Sequence, residues 1–365
     1  MLVNNIVIDI VLKKIFIFLT FLFFGTAANA LEVEPLKILF IGNSYTQMNE
    51  MPSILQKMVD KSGEKAIIER NTKSGASFKI HSERKDMYAS IKSRNWDYVV
   101  LQGYSRELSY TPEYIDSATV PFVNKIIDSI YAKNACTNVL LFMTWGYEGG
   151  FLDREEVNTY EKMAHSIERG YRYLSSLYNI AVVPVGMVWK SVKQKSDEDL
   201  YVADRAHPSV NGSYLAACTF YNVIFGFDYN DRGLVSMVNS DFHLVIREEV
   251  HNIVTENRQL YKLNEKRFIL RSYISDKGLC SLTFSSYFPL ANSIKWSFGD
   301  GNSSTALKGT HVFKNSGTYI VRIQVQEDCG MKIQERRVYF NKPSELEKLK
   351  KKKFRFPRKK KKKKT

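Results

Sequence analysis

The chain has 365 residues, 44% of them hydrophobic and 25% charged, which excludes a wholly disordered or collagen-like polymer and leaves room for one large domain or two ordinary ones. Its formal net charge is +15, yet residues 342–365 alone hold fourteen Lys and Arg against two Glu, so the body of the chain is near neutral. A fold without a basic face gives no ground for a dedicated nucleic-acid domain.

In chain order, Lys13 and Lys14 precede the apolar run IFIFLTFLFF (15–24), followed by Gly25 and the small-residue pattern Ala28-Asn29-Ala30. This predicts a secretory signal over 1–30, cleaved after Ala30. The run is shorter than the roughly 20 apolar residues of a membrane span. The apolar stretch MLVNNIVIDIVL ahead of the lysines leaves an uncleaved anchor open as the alternative. The expected location is outside the cytoplasm: periplasmic, cell-surface or extracellular. Export permits disulfides. The four cysteines, Cys136, Cys218, Cys280 and Cys329, show no metal-binding spacing. A Cys280–Cys329 bridge and a set of four unpaired thiols both remain open.

Next comes an α/β stretch. LKILFI (36–41), KAIIE (65–69), DYVVLQ (97–102), NVLLFM (138–143) and IAVVPV (180–185) are apolar runs of strand length. Segments 51–61, 83–93, 113–132 and 154–177 between them carry apolar residues at helical spacing, and 228–266 reads as a closing helix. Strands alternating with helices predict right-handed crossovers and a parallel sheet covered on both faces, a three-layer α/β/α domain over 31–265. From 268 to 341 the pattern becomes short alternating runs punctuated by Gly, Asn and Ser, which predicts a small antiparallel β-sandwich. The Lys-rich end, 342–365, cannot bury a core and is expected to be solvated, with attraction to anionic surfaces as its second reading.

Ligands of an open parallel sheet bind beyond the carboxyl ends of its strands. The residues there are Gly42-Asn43-Ser44-Tyr45-Thr46, Gly75-Ala76-Ser77, Gln102-Gly103-Tyr104-Ser105, Thr144-Trp145-Gly146 and Asp204-Arg205-Ala206-His207-Pro208-Ser209. A hydroxyl such as that of Ser44 is a weak nucleophile until a base takes its proton. His207 is the histidine at such a position with an acid, Asp204, one turn before it. Asp204 can fix the imidazole tautomer and stabilise its cation. Trp145 and Tyr45 are expected to face substrate, since pockets are lined by aromatic side chains.

ILFIGNSYT and DRAHPS, about 160 residues apart, resemble blocks of the SGNH (GDSL-type) hydrolases. That resemblance implies a flavodoxin-like α/β/α fold and a carboxylic ester hydrolase with Ser44 as nucleophile, His207 as base and Asp204 as orienting acid. Asn43 stands where the family has Asp. The resemblance further implies an oxyanion hole from the backbone of Ser44 and of Gly75. The family's third-block Asn is missing from Gly103-Tyr104-Ser105-Arg106, which leaves Gln102 or Ser105 as the expected replacement. Trp296-Ser297-Phe298-Gly299-Asp300-Gly301, His311-Val312-Phe313 and Gly317-Thr318-Tyr319-Ile320-Val321 resemble a PKD domain, an immunoglobulin-like module. Its core would hold Trp296 and Phe298.

Together these features imply an exported serine esterase acting on an acylated, above all acetylated, carbohydrate or another small ester, needing no metal and no organic cofactor. The PKD-like module is expected to contact glycan or protein. The alternative is a secreted glycan- or protein-binding adhesin whose α/β domain has lost activity. A nucleic-acid-binding reading rests on the lysine tail alone.

Overall fold

The computed structural model describes residues 34–226, 238–263, 267–274, 278–287, 291–328 and 330–340. The expected signal segment and lysine tail lie outside these residues. No helix among the described residues is long and apolar enough to cross a membrane.

Five strands form the first sheet: β1 (Leu36–Gly42), β2 (Ala66–Thr72), β3 (Tyr98–Leu101), β4 (Asn138–Phe142) and β5 (Ala181–Val183). Their order is β2-β1-β3-β4-β5 and every pairing is parallel. This is the flavodoxin-like order, with the switch point between β1 and β3. The inner strands are buried along most of their length, as their continuous apolar runs require, whereas β2 is half-buried throughout and carries Glu69 and Arg70 at the edge of the sheet.

The connections are helical: α1 (Ser44–Gln47), α2 (Met51–Ser62), α3 (Phe78–Ser82), α4 (Lys85–Lys92), α5 (Pro112–Ala118), α6 (Val120–Lys133), α7 (Tyr160–Tyr178), α8 (Val185–Lys195), α9 (Val210–Phe225) and α10 (Ser240–Glu256). In α2 the buried stripe Met51, Ile54, Leu55, Met58 and Val59 has helical spacing, and Gly63 closes the helix in the left-handed region. The segment expected to be one helix over 113–132 breaks at Thr119, because Pro121 requires a helix start and offers no N–H to α5. The helix expected from 154 begins at Tyr160, where Thr159 caps it by accepting the Lys162 N–H. The run expected to be strand to 185 ends at Val183, and α8 follows directly after Pro184. Of the helix expected over 228–266, α10 forms residues 240–256, and the described residues 257–263 beyond it are turn instead of helix. α9 is buried along nearly its whole length and serves as a core helix.

The second core lies in the C-terminal module. Its sheets have the orders β10-β7-β6 and β12-β11-β8-β9, made of β6 (Arg267–Ile274), β7 (Cys280–Tyr287), β8 (Ala291–Ser297), β9 (Ser303–Ser304), β10 (Lys308–Phe313), β11 (Gly317–Glu327) and β12 (Gly330–Phe340). Its strand pairings are antiparallel. Trp296, Phe298, Phe284, Phe313 and Val321 fill the space between the sheets. The Trp296 indole N–H donates to the Ala306 carbonyl at 3.0 Å, which satisfies its polar end.

Cys280 and Cys218 are buried free thiols, so the Cys280–Cys329 bridge does not form. Nor are all four thiols unpaired, because Cys136, just before β4, is disulfide-bonded. Cys329 itself lies outside the described residues. The C-terminal module meets the α/β domain through Arg336 on Glu64 (3.2 Å) and Lys332 on Asp97 (3.6 Å). Glu64 lies two residues ahead of β2 and Asp97 directly ahead of β3, so this contact is at the amino ends of the strands.

Candidate active site

The site stands at the opposite ends of the strands. β1 finishes at Gly42, where a Cβ would lie 2.3 Å from Thr46 Oγ1 and 2.7 Å from Gln102 Oε1, a convergence that only glycine permits. Asn43 then caps α1, its Oδ1 accepting the Tyr45 N–H at 3.0 Å. Ser44 is thereby the first residue of a short helix, with its hydroxyl at the mouth of the sheet.

His207 arrives on a tight loop. The Val202 N–H donates to the His207 carbonyl (3.0 Å) and the Ser209 N–H to the Leu200 carbonyl (2.9 Å), so residues 200–209 fold back as a narrow hairpin-like turn. Ser209 caps α9 by accepting the Gly212 N–H. In this arrangement Ser44 Oγ and His207 Nε2 are 2.8 Å apart and His207 Nδ1 lies 2.6 Å from Asp204 Oδ2. Asp204 Oδ1 accepts the N–H groups of Ala206 (2.9 Å) and His207 (2.8 Å). Burial pushes the Asp204 carboxyl up, but those backbone donors and the His207 ring outweigh it and hold it below the usual carboxylate range. An ionised carboxylate only accepts, so Nδ1 carries the ring proton and Nε2 is left to accept from Ser44. The three residues expected to meet do so, and the chain Ser44–His207–Asp204 has the geometry of an activated nucleophile.

Other expected site residues are placed differently. Tyr45 and Trp145 are 3% and 1% exposed, so their rings are packed in the interior. They form a column with Trp189, at centroid separations of 4.6 and 3.9 Å, and the Tyr45 ring meets the His207 ring edge-on at 5.3 Å. The Trp145 indole N–H donates to the Ala206 carbonyl at 3.0 Å. Their contribution is to seat the His207 loop.

Gln102 is also not a free donor. Its Oε1 accepts the Asn43 N–H (3.0 Å) and the Thr46 hydroxyl (2.8 Å), and its Nε2 donates to Asn43 Oδ1 (2.8 Å) and to the Gly103 carbonyl (2.6 Å). Both amide atoms of Gln102 are therefore engaged, by the turn that carries Ser44 and by the Gly103 carbonyl. Ser105 is buried, with its Oγ 2.8 Å from the Tyr147 hydroxyl. Gly75 has φ +68 and a Cβ built there would meet nothing within 4 Å, so the backbone beside it is approachable. Neither the Ser44 nor the Gly75 N–H donates to a backbone carbonyl among the described residues.

Three residues brace the site's framework: Asn43, which stands in the serine motif, and Glu107 and Asn49, which carried no signal in the sequence. The Asn43 side-chain amide donates to the Ala76 (3.2 Å) and Gly103 (2.9 Å) carbonyls, joining the loops after β2 and β3 to the serine turn. Glu107 accepts the N–H groups of Phe78 (3.0 Å) and Tyr104 (2.9 Å) and clamps the same two loops from the other side. Asn49 bridges the serine and histidine segments: its Nδ2 lies 3.1, 3.0 and 2.9 Å from Pro208 O, Ser209 O and Ser213 Oγ. Asn49 and its neighbour Glu50 both take φ near +53, a left-handed conformation costly for residues other than glycine.

The fold and this geometry place the chain among α/β/α proteins with a Ser-His-Asp site at the carboxyl edge of the sheet. Its C-terminal module is a PKD domain, matched by that family's model over residues 284–341. Among solved structures, the chain is similar to a DUF4886 family protein from Bacteroides uniformis, at 19% identity and a TM-score of 0.53, over 61% of this chain and 95% of that one. That likeness is one of fold. A lipase from a goat rumen metagenome aligns over 52% of this chain and 98% of its own (17% identity, TM-score 0.40), and an acetyl xylan esterase over 52% and 100% (18% identity, TM-score 0.40). No curated protein matches the chain.

Proposed function

We propose that the protein is a serine ester hydrolase working through an acyl-enzyme. The observation that carries this reading is the unbroken chain from Ser44 Oγ to His207 Nε2 (2.8 Å) and from His207 Nδ1 to Asp204 Oδ2 (2.6 Å). Ser44 attacks the ester carbonyl while His207 takes its proton, and Asp204 holds the resulting imidazolium. The N–H groups of Ser44 and Gly75 receive the negative charge that develops on the carbonyl oxygen. His207 then returns the proton to the leaving alcohol and activates the water that releases the acid.

The substrate class we assign is an O-acylated, in the first instance O-acetylated, carbohydrate outside the cytoplasm. Two features support it: the secretory pattern at 15–30 and the PKD module, for which we propose a contact with glycan or protein. The lysine-rich end adds a salt-dependent attraction to anionic surfaces. Of the two readings, the esterase is favoured over an inactive adhesin by the intact geometry of all three reacting groups.

The test is turnover of p-nitrophenyl acetate and acetylated sugars by the full chain beside Ser44→Ala and His207→Ala. Activity falling on the order of 10³-fold or more in both variants is the expected result. Equal slow turnover by all three proteins, with glycan binding retained, would instead support the adhesin.

A further inference from the structure

Arg106 is a cation that pairs with no carboxylate among the described residues. The cations nearby are paired: Lys193 and Arg205 with Glu148 (3.1 and 3.8 Å) and Arg154 with Glu156 (3.8 Å). The Arg106 guanidinium instead stacks 3.5 Å above the centre of the Phe151 ring, and its Nη2 donates to the Tyr104 hydroxyl at 3.2 Å. Its Nε is buried without a partner, and no carboxylate pairs with the group among the described residues. A half-buried guanidinium left unpaired is unfavourable in itself. What it gains is a fixed plane, in which Nη1 and the second N–H of Nη2, the first being given to Tyr104, are the donors that can serve an acceptor group.

The position of this edge gives it a use. Arg106 follows Ser105 in the loop at the carboxyl end of β3. The Ser105 hydroxyl meets Tyr147 at 2.8 Å, and the next residue, Glu148, donates its N–H to the Arg205 carbonyl at 2.9 Å within the His207 loop. Arg106, Tyr104, Tyr147 and Phe151 therefore form one rim of the site that holds Ser44.

We infer that Arg106 binds a carboxylate of the substrate, so that the ester cleaved at Ser44 is carried by an acidic sugar. This inference rests on the esterase reading for its consequence, though not for the binding itself. A carboxylate matches the remaining donors of the guanidinium, and the aromatic side chains beside it supply an apolar surface for a sugar ring.

The probes are an O-acetylated methyl glucuronoside and its neutral C6 methyl ester, which differ only in charge. The full-length protein is expected to favour the acid over the ester in kcat/KM, and Arg106→Gln to lower that ratio about 10- to 100-fold, the range of a charge-assisted pair. Taking the ratio within each protein removes any loss of folded fraction. A ratio that Arg106→Gln leaves within about two-fold of the parent value overturns the inference. Calorimetric binding of the same probes to Ser44→Ala separates it from the esterase reading. Preference for the acid that disappears in Ser44→Ala/Arg106→Gln upholds the carboxylate site even if no ester is turned over. Equal binding of acid and ester by Ser44→Ala, or tighter binding of a 6-sulfated sugar than of the acid, overturns it.

Discussion

The side-chain amides of Asn43 and Gln102 lie against each other, with Gln102 Nε2 donating to Asn43 Oδ1 at 2.8 Å while Gln102 Oε1 accepts the Asn43 N–H. The pair explains why asparagine serves at a position where the resembling family has aspartate. Asn43 Nδ2 also donates to the carbonyls of Ala76 and Gly103, a role that an acceptor-only carboxylate cannot fill. Asn43→Asp is therefore expected to destabilise the fold by about 1–3 kcal/mol, the cost of leaving buried partners unsatisfied. Denaturant unfolding measures it, and a double-mutant cycle with Gln102→Ala should show coupling between the two positions.

Asn49 ties the loop after Ser44 to the loop after His207 across a sequence separation of 159 or more residues. Asn49→Ala is expected to lower kcat about 10- to 100-fold with KM little changed, because small displacements of reacting groups are costly. The rate at which a neutral organophosphate modifies Ser44 should fall with kcat. If both rates stay at the parent value while only the melting temperature drops, Asn49 supports the fold and not the alignment.

Burial raises the Glu107 carboxyl to about 7, against the lowering effect of the Phe78 and Tyr104 N–H groups. An unfolded glutamate ionises near 4.5. Between these two values the folded form binds more protons than the unfolded one, so stability is fullest below pH 4.5 and declines as pH rises towards 7. Glu107→Gln removes this slope. Across that window the parent protein should lose on the order of 1–3 kcal/mol relative to the variant, read from paired denaturant titrations. Parallel curves would show that Glu107 ionises freely.

His81 slopes the other way. Burial, with Arg84 and Lys73 adding to it against Asp86, lowers its ring to about 4 from 6.5. The unfolded chain takes up a proton on His81 before the folded one does, so stability is complete above pH 6.5 and is lost as pH falls through the window to 4. The melting temperature of the parent should therefore drop relative to His81→Leu on acidification over that range. A constant difference between the two proteins would exclude the ring as the cause.

Much of the architecture could be read from local pattern. The inner strands are continuous apolar runs ending in small or polar residues, and Ser44, Asp204 and His207 have side chains whose chemistry is specific wherever they meet. What the pattern could not convey depends on long-range packing. α8 was hidden because Ile180–Val185 is one apolar run, and only Pro184 marks the change from strand to helix. Trp145 and Tyr45 are wide aromatic rings that suit a pocket wall or a core equally well, and it is the stack with Trp189 that decides between them. Gln102 has the donors an oxyanion hole needs, but its neighbours in space, Asn43 and Gly103, claim them first.

The grip of Arg336 and Lys332 on Glu64 and Asp97 has a directional consequence. The PKD module holds the sheet from behind, where its strands begin, and Ser44 sits where β1 finishes. Neither ion pair lies at the mouth that holds Ser44, so the module's hold on the sheet leaves the serine's end clear of both contacts.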